Sequence, residues 1–161
     1  MNNAVKLVIA VALPVAVGAL SGFATARGVS TWYPTLVKPA FNPPAWVFGP
    51  VWTALYVMMG VAAYLVWRQG LGTGGVKVAL MAFLIQLGLN GLWSILFFGM
   101  QEPGWALGEI VLLWAAIGVT VVLFWRASPA AGALLLPYLA WVSFAAVLNA
   151  SLWWLNRSPS G

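Results

Sequence analysis

The amino-acid sequence predicts an all-α integral membrane protein: a bundle of five transmembrane helices forming a single domain over residues 1–161. Three observations predict it. Of 161 residues, 63% are hydrophobic and only 6% are charged, whereas a soluble domain carries about a quarter charged residues. With a mean hydropathy of +0.98, the chain lacks the polar surface needed to face water. Its apolar residues also fall into five runs, each near the roughly 20 residues that one lipid-spanning helix needs. Finally, the basic residues Lys6, Arg27, Lys38, Arg68, Lys77, Arg126 and Arg157 stand near the ends of those runs, at the height of lipid head groups.

The same counts exclude several functions. There is no basic stripe, so nucleic acid is not a partner. There is no Cys and no His, which removes thiol chemistry and every metal site built on those ligands. No metal is expected, since a haem iron would have to fall back on Met or Tyr.

The first run, residues 4–26, has two readings. Lys6, the apolar stretch Leu7 to Leu20 and Ala24-Thr25-Ala26 have the layout of a cleavable signal peptide. The run is equally long enough to span, and Gly18-x-x-x-Gly22 offers a small-residue packing face. Pro14 would kink such a helix, which a bundle tolerates.

Residues 27–42 read as a covering loop. The stretch Trp32 to Tyr56 holds five of the ten prolines, three tryptophans and one basic residue, Lys38. Proline fixes φ and removes a donor, so the first half reads as a stiff, aromatic-lined loop. Asn42 stands where an N-cap would, and Pro43-Pro44 suit the first turn of the second helix, 43–68. On that helix Gly49, Thr53, Tyr56, Gly60 and Ala63 recur at helical spacing, a small and partly polar face.

The third run, 76–98, follows a glycine-rich connection. Gln86, Asn90, Trp93 and Phe97 share one face. Two amides in mid-membrane need partners, found either in another helix or in a ligand. On the fourth run, 104–126, Trp105, Glu109, Leu112 and Ala116 align. Glu109 lies about one and a half turns inside, as a functional carboxylate or as one that reaches the interface. The fifth run, 130–155, carries a stripe of Pro137, Tyr138, Trp141, Ala145, Leu148 and Leu152, and ends on Trp153-Trp154 and Arg157 as an interfacial anchor. Trp32, Trp67, Trp105, Trp125, Trp153 and Trp154 stand at run ends as an aromatic belt would. Trp52, Trp93 and Trp141 lie deeper and are the candidates to surround a bound molecule. Four basic residues fall on one side and three on the other, a bias too small for the positive-inside rule to decide, with a lean toward an inside N-terminus.

Three spaced motifs resemble the translocator protein family, also called tryptophan-rich sensory proteins (TspO/MBR), of bacterial type. The first is Trp32-Tyr33-x-x-Leu36-x-Lys38-Pro39-x-x-x-Pro43-Pro44-x-Trp46-x-x-x-Pro50-x-Trp52-x-x-Leu55-Tyr56-x-x-Met59-Gly60. The second is Gln86-Leu87-x-Leu89-Asn90-x-x-Trp93-x-x-x-Phe97-Phe98-Gly99. The third is Pro137-Tyr138-Leu139-x-Trp141-x-x-Phe144-Ala145-x-x-Leu148-Asn149. The resemblance runs from about Pro14 to Asn156 and implies that the first helix belongs to the bundle.

It further implies a five-helix bundle, usually a homodimer, with a pocket closed over by the first loop, whose lid residues are Trp32, Lys38, Pro43 and Pro44. Family members bind porphyrins and other tetrapyrroles, and sterols in the mitochondrial branch. Carried over, the ligand-binding positions are Trp46, Phe48, Gly49 and Trp52; Gln86, Asn90 and Trp93; Trp105, Gly108 and Leu112; and Trp141, Ala145 and Leu148. No cofactor is required, and porphyrin enters as the ligand. Three departures stand out. Ala45 follows the double proline where the family often has Arg, which removes one anion contact. Ala150 stands where the sterol-recognition pattern needs Tyr, which weakens the case for a sterol. The third helix has no small-x-x-x-small pair before Gln86, which puts the family's dimer interface in doubt.

The function expected is a multi-pass membrane receptor or carrier for protoporphyrin IX or a related tetrapyrrole, tied to its transport or to stress-linked regulation. Two rivals accompany it: a light-dependent or oxidative porphyrin-degrading enzyme using Trp52 and Trp141, and a regulatory scaffold acting through a protein partner. The enzyme is the weaker reading, because no catalytic residues group in the sequence; Glu109 has no His, Lys or second carboxylate beside it. Apolar helical spans favour a bacterial cell (inner) membrane over the outer membrane that houses some bacterial relatives.

Overall fold

A computed structural model describes residues 1–157; the last four residues of the single-domain expectation, 158–161, lie outside the described residues. Five long helices make the fold: α1 (Asn3–Arg27), α2 (Phe48–Trp67), α3 (Val76–Ser94), α4 (Pro103–Ala127) and α5 (Pro129–Asn156). All five are long and apolar enough to cross a membrane, which suits lipid because a helix satisfies its own backbone groups. The protein is an all-α, multi-pass integral membrane bundle.

Local chemistry sets most helix ends. The Asn2 side chain accepts from the Val5 amide at 2.9 Å and caps α1. Pro103 and Pro129 occupy the opening turns of α4 and α5, where a missing amide costs little. Gly75, at φ +83°, makes the left-handed turn into α3 that a side chain would strain.

Around the bundle the packing order is α1, α2, α5, α4, α3 and back to α1. Helix α1 packs on α2 and α3, so the first run is a working member of the bundle. The core centres on Met59, Ala62 and Val66 of α2, Phe83 and Leu87 of α3, Ile110, Leu113 and Ile117 of α4, and Leu135 and Val142 of α5.

Three expectations need correction. Residues 28–35 are helical: a π turn (Gly28–Trp32) and a 3₁₀ turn (Tyr33–Thr35) prolong α1. Pro34 sits in the opening turn of that 3₁₀ segment, where its lost donor does no harm. The irregular part of the covering loop is therefore only residues 36–44. Helix α2 starts at Phe48 after a 3₁₀ turn (Ala45–Val47), not at Pro43. Pro44 disfavours helix at Pro43, and Pro44 is itself extended, with ψ 142°. Asn42 does not cap α2; it accepts from the Tyr33 hydroxyl at 2.8 Å and ties the loop to the end of the prolonged first helix.

Candidate functional site: an aromatic intramembrane cavity

The helices α1, α2, α3 and α5 enclose a cavity of about 580 Å³, inside the ~300–1,000 Å³ range of small-molecule pockets. Its aromatic wall has two clusters. Trp52 stacks on Tyr56 (5.6 Å between ring centroids) and lies 6.5 Å from Trp93, which stacks on Phe97 at 5.4 Å. Across the cavity Trp141 meets Phe48 at 6.1 Å and Phe144 at 5.5 Å. Gly49, Ala145 and Leu148 complete the part of the lining that the sequence singled out. Trp52, Trp93 and Trp141, the three deep tryptophans, thus all face one space.

The opposite wall is α1, which contributes Ala19, Gly22 and Ala26. No Asp, Glu, Lys or Arg lines the cavity among the described residues. Its hydroxyl groups are largely committed: Thr53 donates to the Gly49 carbonyl at 2.8 Å and Thr25 to the Ser21 carbonyl at 2.7 Å. The space therefore suits an apolar, aromatic guest and offers nothing to neutralise a buried charge.

Gln86 and Asn90 sit behind this wall, not in it. Each is 1% exposed and lies outside the lining. The Tyr56 hydroxyl donates to Asn90 Oδ1 (2.6 Å), Asn90 Nδ2 donates to the Tyr138 hydroxyl (2.9 Å), and that hydroxyl donates to Gln86 Oε1 (2.7 Å). One hydrogen-bonded chain joins α2, α3 and α5. Of the two kinds of partner open to these amides, both Asn90 groups and Gln86 Oε1 take other helices, while Gln86 Nε2 takes none among the described residues. Trp93 Nε1 donates to Asn149 Oδ1 at 3.0 Å, and Asn149 Nδ2 donates to the Pro103 carbonyl at 2.9 Å, a second tie reaching α4.

Other expected site residues lie elsewhere. Trp46 and Trp105 are each 75% exposed, Leu112 and Gly108 are also exposed, and none of the four lines the cavity. Helix α4 turns Ala106, Ile110, Leu113 and Ile117 inward instead, so Trp105, Gly108 and Leu112 belong to its outer face. Glu109 does not reach the interface: both carboxylate oxygens are shielded from solvent and, like Gln86 Nε2, have no hydrogen-bond partner among the described residues. Such orphaned groups are uncommon and costly.

The lid residues also divide. Trp32 packs edge-on against Phe97 at 5.6 Å. Lys38 Nζ donates to the Pro34 and Leu36 carbonyls (3.3 and 3.1 Å) and sits 5.1 Å above the ring of Tyr33, a lining residue, but does not itself line the cavity. Pro43 and Pro44 stand in the extended approach to α2 and do not line the cavity. One hold on the loop was missed in the sequence. The Val37 amide donates to Asn156 Oδ1 and Asn156 Nδ2 donates to the Val37 carbonyl, each at 2.8 Å. Those residues are 119 positions apart, and Asn156 ends a helix whose last turn reads only as an anchor. Phe41 adds an edge contact with Phe144 at 6.2 Å.

Comparison with known proteins agrees with this architecture. The TspO/MBR family profile matches residues 10–155. The chain is 47% identical over 157 residues to the tryptophan-rich protein TspO of Chlorobaculum tepidum, covering 97% of this chain and 99% of that one. It is 44% identical over 154 residues to the tryptophan-rich protein TspO of Archaeoglobus fulgidus, covering 96% and 99%. It is 44% identical over 131 residues to the human translocator protein, covering 81% and 78%. With five apolar helices packed as a bundle and a match that spans nearly its whole length, the chain belongs to the TspO/MBR family.

Proposed function

We propose that this protein is a membrane receptor or carrier for a flat, hydrophobic tetrapyrrole of the protoporphyrin IX class. The observation that carries the reading is the convergence of Trp52, Trp93 and Trp141 on one uncharged cavity. A planar macrocycle stacks on indole faces, and apolar burial supplies most of its affinity. The relatives called translocator protein and tryptophan-rich sensory protein support a transport-related or sensory role. The ligand's carboxylates find no cation in the lining, so they stay at the cavity's open edge while the ring goes in.

Titration with protoporphyrin IX, followed by tryptophan fluorescence, tests this. Saturable quenching is expected, weakened in Trp52→Phe/Trp141→Phe. No saturable quenching, or quenching indifferent to both substitutions, would refute it.

One observation favours the second reading, breakdown of the bound porphyrin. Trp52 touches Tyr56, Trp93 and Tyr138, the last at 6.4 Å, a packed set of oxidisable rings beside the cavity. Illumination of the complex distinguishes the two: a new absorbing product under turnover favours degradation, and a merely bleached ligand at the protein-free rate favours binding.

A further inference from the structure

The cavity reaches the surface between α1 and α2, where its lining residues are exposed. Helices α1 and α2 are in contact over one half of their length and apart over the other. A Cβ added at Gly60 would run into the Val11 backbone, and one added at Gly18 would run into the Tyr56 ring. Further along, a Cβ at Gly22 or at Gly49 would meet nothing within 4 Å. From Tyr56, the last of these contacts, to Gly49 the helix advances roughly 10 Å, so the pair splays over about a third of a bilayer core.

Ala19, Gly22 and Ala26 on α1 and Gly49 and Thr53 on α2 border this gap. Each lines the cavity and is exposed, as residues at a mouth would be. The gap is chemically smooth, being made of glycine, alanine and a threonine whose hydroxyl is bonded to its own helix. The loop end is instead held by the Asn156–Val37 pair, the Tyr33–Asn42 bond and the Phe41–Phe144 contact.

We propose that the ligand enters and leaves sideways, from the acyl chains, through the gap between α1 and α2. This rests on the receptor reading and narrows its substrate class. The ligand is a molecule already dissolved in the bilayer, with an apolar body that slides past Gly22 and Gly49 and a charged edge that trails toward the head groups. The loop is then a roof, and its opening is not a step in binding.

Stopped-flow mixing of the protein in phosphatidylcholine vesicles with vesicles carrying protoporphyrin IX tests the route. Gly22→Phe/Gly49→Phe, which fills the gap, is expected to slow association roughly tenfold or more, whereas Asn156→Ala, which frees the roof, leaves it within about twofold. Wild-type association in the filled variant, or faster association in Asn156→Ala, overturns the proposal. Because the chain has no cysteine, Gly22→Cys labelled after folding with a bulky maleimide repeats the blockade without any demand on folding. A second readout needs no porphyrin. Lipids brominated on their acyl chains are expected to quench the Trp52 component, taken as wild type minus Trp52→Phe, and to lose that access in the filled variant. Equal Trp52 quenching with the gap open and filled overturns the lateral route. If wild type shows no saturable porphyrin binding, the receptor reading fails and the brominated lipids decide the route by themselves.

Discussion

The two walls of the cavity are built on opposite plans. On the α2–α3–α5 side, Tyr56, Asn90, Tyr138 and Gln86 are bonded in series, and Trp93 is tied to Asn149. Every large side chain there has a fixed neighbour. On the α1 side the wall is small residues, and most of the helix is exposed on the outside of the bundle. One wall holds aromatic rings in position; the other leaves a space through which something can pass. In a bilayer this division has a simple origin. Packing between helices gains little from the hydrophobic effect, so rigidity comes from close packing and interhelical hydrogen bonds. Where the α1 wall has neither, between Gly22 and Gly49, it is loose by default.

The sharpest way to break the contrast is at Asn90. Asn90→Leu removes two hydrogen bonds and leaves the Tyr56 and Tyr138 hydroxyls short of partners in a dry core. Each interhelical bond in a membrane is worth about 0.6 kcal/mol on average and up to about 1.7, and an orphaned buried polar group costs about 1–3 kcal/mol. A destabilisation of about 2–4 kcal/mol is expected, read as a lower unfolding midpoint in detergent. An unchanged midpoint would mean that the amide chain holds nothing together and that the two walls do not differ in the way described.

The glycines of α1 and α2 test the same contrast from the other side. Gly60→Leu forces a side chain into the Val11 backbone and is expected to destabilise by about 1–3 kcal/mol. Gly22→Leu enters open space and should stay within about 0.5 kcal/mol of wild type. Thermal unfolding of the two variants side by side decides it; equal losses would show that α1 is packed along its whole length.

The contrast also explains what could be read from the chain. Gln86 and Asn90 were legible as inward-facing because an amide stands out against an apolar run, and their burial follows from the cost of facing lipid. Their partners were not legible, since Tyr56 and Tyr138 come from other helices. Helix α4 was misjudged for the opposite reason. Its core face and its lipid face are both apolar, so Trp105, Gly108 and Leu112 look no different from Ala106, Ile110 and Leu113 by pattern alone. Proline spacing marks residues 36–42 as irregular, as they are, yet it puts Pro43 and Pro44 in the helix and misses that Gly28 to Thr35 continue as helical turns, because a proline in the opening position of a turn breaks nothing. The Val37–Asn156 tie had no local signal at all.

The smallest expected effect belongs to Lys38, and it bears on the ligand's charged edge. Sequence alone makes this lysine the natural partner for a propionate. Its ammonium is already engaged by two carbonyls and the Tyr33 ring, and it lies outside the cavity lining. To pair with a carboxylate it would have to give up those contacts for an ion pair near the interface, where such pairs are worth about 0–1 kcal/mol. The exchange nearly cancels. Lys38→Met is therefore expected to change protoporphyrin affinity by less than about threefold, measured by fluorescence titration at low and high salt. A loss of tenfold or more that disappears at high salt would show that the lysine swings over to the ligand, and that the roof, not only the aromatic wall, takes part in recognition.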